Sequence, residues 1–211
     1  MPLIDWNGKR ILYIHVPKTG GTSIETWLST LAPLQLHTIG QPAALRCTPQ
    51  HLQYKEITAL LAAGSFDYAF MSVRNPFARL ASEYRMRAQA QQEGFWGAVQ
   101  KFPYWLETSL NKAKRDPFVL DNHMRPQWEF TGNDVEVFRL EDGLETMLAQ
   151  VADKIGAPVP EITPHKMNSQ SFQHDVTWER ADVTRVQQFY AADFTEFDYP
   201  TALPGPKARR E

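Results

Sequence analysis

Lys18, Thr19, Gly20, Gly21, Thr22 and Ser23 bring one ammonium, three hydroxyls and two positions without a side chain into six consecutive residues. Such a set suits an oxyanion. Glycine lets the backbone approach a ligand closely, and the free N–H groups at a helix start face negative charge together with the helix dipole. A second set lies downstream, where Ser82 stands eight positions after Arg74. Arginine grips phosphate oxygens through a planar fork and stays charged at any ordinary pH. A guanidinium at a strand end and a hydroxyl two helical turns on are placed to converge on one phosphate.

The elements that must hold these residues follow from pattern. Ile11, Leu12, Tyr13, Ile14 and Val16, bounded by Gly8 and Pro17, predict a strand over 11–16. Thr22 and Glu25 are spaced as a capping box for a helix over 23–30, with Ile24, Trp27, Leu28 and Leu31 on its apolar face. Residues 68–73 predict a second buried strand. Asn75 and Pro76 then supply an N-cap and a first-turn proline for a helix over 76–90 that buries Phe77, Leu80, Ala81 and Tyr84. A strand over 135–139 and a helix over 142–155, stopped by Gly156, complete an alternation that predicts an α/β domain with a parallel sheet, helices on both faces and ligands at the strands' carboxyl ends. Residues 94–130 form a Trp-rich helical excursion. A last helix buries Val183, Val186, Phe189 and Tyr190, and 204–211 is a frayed tail of the single domain 1–211.

Lysine position narrows the chemistry. In the Walker A loop the lysine follows the last glycine, whereas here Lys18 precedes both. The order P-K-T-G-G-T-S instead resembles the 5′-phosphosulfate loop of sulfotransferases that use 3′-phosphoadenosine-5′-phosphosulfate (PAPS), in particular the carbohydrate branch with the heparan and chondroitin enzymes. Arg74 and Ser82 resemble the 3′-phosphate motif of the same family. The resemblance implies a compact P-loop-like sheet and sulfuryl transfer from PAPS to a hydroxyl of a glycan or small-molecule acceptor. Lys18 would assist the leaving phosphate, the Thr19–Ser23 segment would hold the equatorial oxygens, and no metal would be required.

The proton acceptor stays open at this level. Six histidines are present. Heparan sulfate 2-O-sulfotransferases place a histidine base between the two phosphate motifs, which points to His51. His123 begins an H-x-x-P-Q element similar to one on the family's acceptor side, where Arg125 and Gln127 would hold sugar or cofactor oxygens. His15, just before the cradle, and Glu83 are further candidates. Lys166 matches the basic loop with which related enzymes close over the nucleotide. Of the aromatics Phe95, Trp96, Tyr104, Trp105, Phe118 and Trp128, about four are expected to pack the excursion against the sheet and the rest to meet a planar acceptor. Arg79, Arg85 and Arg87 include ordinary solvated helix charges, a reading that applies to Arg85 and Arg87 first.

Composition sets bounds. A net charge of −2 provides no global field for nucleic acid, so any anion site is local. Cys47, the single cysteine, reads as a small buried hydrophobe. No run approaches the ~20 apolar residues of a membrane span, and the first ten residues lack a signal-peptide core, so a cytoplasmic location is expected. Two other classes remain at this level: a nucleotide kinase or NTPase with an atypical phosphate loop, and a non-catalytic nucleotide- or glycan-binding module.

Overall fold

The computed structural model describes residues 2–38, 40–62, 64–92, 100–160 and 176–204. Its centre is a four-stranded sheet in the order β1 (Leu3–Trp6), β2 (Lys9–Ile14), β3 (Tyr68–Val73) and β4 (Val135–Arg139). The last three strands run parallel, in register Ile14 beside Met71 and Val73 beside Arg139. β1 departs from the all-parallel expectation. It pairs antiparallel with β2 through Asn7 and Gly8, whose φ values of 48° and 74° suit the tight turn that Asn-Gly favours.

Helices cover both faces because alternate residues of β2 and β3 are buried on opposite sides. On one side Ile11, Tyr13 and Phe70 pack against Ile24, Trp27 and Leu28 of α1 (Gly21–Leu31) and Met147, Leu148 and Val151 of α5 (Leu144–Ile155). On the other, Leu12, Ile14, Met71 and Val73 meet α3 (Pro76–Gln92), α4 (Phe102–Arg115), α6 (Arg180–Phe189) and α7 (Ala191–Glu196). The short α2 (Tyr54–Leu60) lies between β2 and β3 in the chain and buries Ile57. Among the described residues no helix is long and apolar enough to cross a membrane.

Two helix starts differ in how they are capped. Asn75 Oδ1 accepts the Phe77 N–H at 3.0 Å, so the expected cap of α3 is present. The expected Thr22–Glu25 box is not. Gly20, at φ 94°, begins α1 without a side-chain cap, and the Glu25 carboxylate turns to histidines instead. α5 starts two residues later than expected, after a tight turn at Leu140–Asp142 and Gly143 at φ 106°. It ends as expected at Gly156, φ 66°.

Candidate active site

The carboxyl ends of three parallel strands form the floor. β2 leads into His15 and the cradle, β3 into Arg74, and β4 into Leu140 and Glu141. Glu141 Oε1 accepts the Asn75 N–H at 2.9 Å, and the Leu140 side chain lies where a Cβ on Gly20 would point. Gly21 is constrained more tightly. A Cβ there would fall 2.1 Å from His15 Nε2, because the imidazole occupies the space beside the first turn of α1. The two glycines therefore have separate reasons: Gly20 supplies a left-handed backbone, and Gly21 admits the histidine. Gly21→Ala is expected to lower stability by roughly 1–3 kcal/mol through overpacking, read as a shift in the urea midpoint. An unchanged midpoint would show that His15 moves aside freely.

The cradle divides its side chains. Thr19 is fully buried and its Oγ1 faces inward, donating to Val16 O at 2.8 Å and meeting Ser72 Oγ at 2.9 Å. Only its backbone is left for a ligand. Thr22 and Ser23 are exposed and half-buried, with hydroxyls that make no hydrogen bond among the described residues. The Gly21 and Thr22 N–H groups also lack an acceptor there. Lys18 sits at φ 70°, a conformation that costs a side-chain-bearing residue roughly 1–2 kcal/mol. Its Nζ meets only the Met86 sulfur, at 3.2 Å, and no carboxylate lies within ion-pair distance among the described residues. Burial pulls the Lys18 pKa below its ordinary value, against the opposing charge of Glu83.

Arg74 connects the second motif to the first. Its Nη1 donates to Lys18 O at 3.4 Å, while its backbone N–H and C=O are bracketed by the Gln127 side chain at 2.9 and 2.8 Å. Ser82 is buried on α3, with no hydrogen bond to its hydroxyl among the described residues. Gln127 and Arg125, expected on the acceptor side, are engaged in structure. Gln127 is fully buried against Arg74 and Asp193, and Arg125 binds Asn122 Oδ1 and Glu129.

The three histidine candidates meet. His15 and His51 have ring centroids 5.0 Å apart, and His51 and His123 4.8 Å, each pair edge to face. Every ring has Nδ1 on its own carboxylate: His15 on Glu25 at 2.5 Å, His51 on Asp121 at 2.7 Å and His123 on Glu83 at 2.6 Å. That leaves Nε2 of each as the atom able to accept a proton. The column spans the cradle, since His15 packs on Gly21 at one end and at the other Glu83, the partner of His123, is the carboxylate whose charge acts on Lys18. Donor atoms of His51, Asp121 and His123 lie within 4.8 Å of one another, a spacing that a metal ion also tolerates. Asp121, however, already accepts the Thr48 N–H, the Thr48 hydroxyl and His51 Nδ1.

Burial, the largest cause, lowers the pKa of all three imidazoles below the ordinary 6.5, and their carboxylates oppose it. The neutral, proton-accepting form is thereby favoured at neutral pH. Linkage has one sign: below pH 6.5 the unfolded chain takes up protons that the folded histidines refuse, so stability falls with acidification. Glu25 and Glu83, ordinarily 4.5, and Asp121, ordinarily 3.8, are held lower by their histidine partners despite burial, and they extend the loss below those values. Urea midpoints are expected to be level between neutral pH and the onset of Lys18 titration and to decline beneath pH 6.5. A maximum near pH 5 would contradict the assigned pairings.

Buried arginine is what sequence reasoning missed. Arg79, 1% exposed, donates to Pro17 O, Arg125 O and His123 O, each at 2.9 Å, and so ties the cradle to the histidine column. Arg87 is likewise no solvated charge, since it pairs with Glu83 and reaches Leu120 O. Leu120, Asp121 and Asn122 all have φ near 60°, three consecutive left-handed residues without a glycine. Long-range contacts hold them: Asn122 Nδ2 donates to His51 O at 2.9 Å, and Asp121 is fixed by Thr48. Strain of this kind persists where surroundings over-determine it. The R-N-P-x-x-R spacing was visible, but nothing local in it distinguishes a buried arginine from a surface one.

Of the aromatics, Trp105 is in the core and Phe118 has the guanidinium groups of Arg46 and Arg125 4.3 and 4.8 Å from its ring centroid. Tyr104 and Trp128 are exposed, the latter next in sequence to Gln127. Phe95, Trp96 and Lys166 lie outside the described residues. Two surface grooves among the described residues, about 380 Å³ beside β4 and α5 and about 310 Å³ beside the β1–β2 turn, include none of the cradle residues.

Comparison with known proteins adds one match. A family model described as "Sulfotransferase family" covers residues 5–200. A search of curated proteins and a search of solved structures each return no match.

Proposed function

Because the chain belongs to the sulfotransferase family, we propose that it transfers the sulfuryl group of PAPS to a hydroxyl of a carbohydrate or related acceptor. One observation carries the reading: Lys18 and Arg74, two cations without a carboxylate partner among the described residues, are joined through the Lys18 carbonyl, and Glu83, whose charge acts on Lys18, holds the last ring of a column of carboxylate-held imidazoles.

In this reading the 5′-phosphosulfate rests on the start of α1, with the Gly21 and Thr22 N–H groups and the Thr22 and Ser23 hydroxyls on its oxygens. Arg74 and Ser82 take the 3′-phosphate. The acceptor oxygen attacks sulfur as the bond from sulfur to the bridging phosphate oxygen breaks, and Lys18 meets the charge that develops on that oxygen. The acceptor's proton passes to Nε2 of the His51–His123 pair, whose Nδ1 atoms are anchored so that the accepting nitrogen is set in advance. Products are a sulfate ester and 3′,5′-adenosine bisphosphate, with no change of oxidation state. The order of the two loops and the H-x-x-P-Q element at His123 support the carbohydrate branch, and the exposed ring of Trp128 offers a stacking face.

Calorimetry in EDTA with 3′,5′-adenosine bisphosphate, 5′-AMP and ATP tests the reading. The bisphosphate is expected to bind best to the wild type, and Arg74→Ala to cut that preference by at least about tenfold. An ATP preference that appears only with Mg²⁺ would overturn it.

A further inference from the structure

Arg85 has no role in the network described so far. It lies on α3 three residues beyond Ser82 and one before Met86. Side chains three and four apart share a helix face, so Ser82, Arg85 and Met86 form one stripe. Met86 fixes where that stripe looks, because its sulfur is 3.2 Å from Lys18 Nζ.

Most other arginines among the described residues are matched. Arg46, Arg87, Arg125, Arg139 and Arg185 each pair with a carboxylate, and Arg79 is filled by three carbonyl oxygens. Arg85, although half-buried, makes no hydrogen bond or ion pair among the described residues. Its charge opposes that of Arg74. The carboxylates whose charges act on Lys18 and Arg74 are bound elsewhere: Glu83 by Arg87 and His123, and Glu141 by the Asn75 N–H and the Tyr199 hydroxyl. Like charges gathered without a counter-ion destabilise a fold unless an anion supplies the missing charge.

Resting on the sulfotransferase reading, we propose that Arg85 is a specificity-determining residue, a second guanidinium for the terminal phosphate that Arg74 and Ser82 hold. It selects a nucleotide phosphorylated at both ends over one with a 5′-phosphate alone. A phosphate dianion has oxygens enough for two forks, and two arginines discriminate against its absence more strongly than one because each is left unmatched when the group is missing.

The test measures binding of 3′,5′-adenosine bisphosphate and of 5′-AMP to the wild type, Arg85→Gln and Arg85→Lys in EDTA, with a thermal melt of each protein without nucleotide. Arg85→Gln is expected to weaken the bisphosphate about 10- to 100-fold and 5′-AMP less than about threefold, and Arg85→Lys to recover part of the loss. Without ligand, Arg85→Gln is expected to melt at or above the wild-type temperature, since it removes repulsion and no contact. A residue holding the fold together would lower it. If Arg85→Gln keeps the wild-type preference, or weakens both nucleotides equally, the assignment of Arg85 is overturned while the sulfotransferase reading stands. A wild type that binds the two nucleotides equally overturns both.

Discussion

Lys18→Ala is expected to lower sulfuryl transfer from labelled PAPS by about 10²- to 10³-fold while changing the affinity for 3′,5′-adenosine bisphosphate less than about fivefold. The asymmetry comes from timing. A cation that meets charge developing on the bridging oxygen contributes most at the transition state, and loss of one such donor typically costs a rate factor of that size. Lys18 sits at φ 70°, with the Met86 sulfur beside its ammonium. Alanine inherits the same backbone strain, so stability is expected to change little, and a melting curve beside the transfer assay separates the two effects. Equal losses in rate and nucleotide affinity would reassign Lys18 to ground-state binding.

Glu83→Gln carries the second large effect, on stability and turnover together. Glu83 is 1% exposed and serves Arg87 and His123 directly, with Lys18 within range of its charge. Its carboxyl is held well below the usual range by His123, Arg87 and Lys18, in spite of burial. Removing one partner of a buried charged network leaves the others uncompensated and costs about 3–5 kcal/mol. Turnover is expected to fall at least about 100-fold in the protein that still folds, because the anchor that directs His123 Nδ1 is lost. Urea unfolding within about 1 kcal/mol of wild type would mean that water already screens this cluster.

Much of the frame is written locally. Tyr68–Val73 and Val135–Arg139 are strands at the bounds their β-rich runs predict, and Gly156 ends α5 where its position after Ile155 says it should. The Asn7-Gly8 turn was legible too, as a hairpin signal between apolar residues. The reading of residues 11–16 as the first strand overlooked it.

The candidate site was half legible. Lysine before glycines, and arginine at a strand end with a serine two turns later, are spacings along one stretch of chain, and the sequence by itself determined them together with the α/β alternation that carries both to one edge of the sheet. Tertiary structure decided the rest. It turned the Thr19 hydroxyl inward and the Thr22 hydroxyl outward, buried Arg79 and left Arg85 without an ion pair among the described residues. It also stacked His15, His51 and His123, from three separate segments, into one column with three carboxylates. The physical reason is that a buried polar group takes its role from the partners that satisfy it, and here those partners lie tens of residues away along the chain.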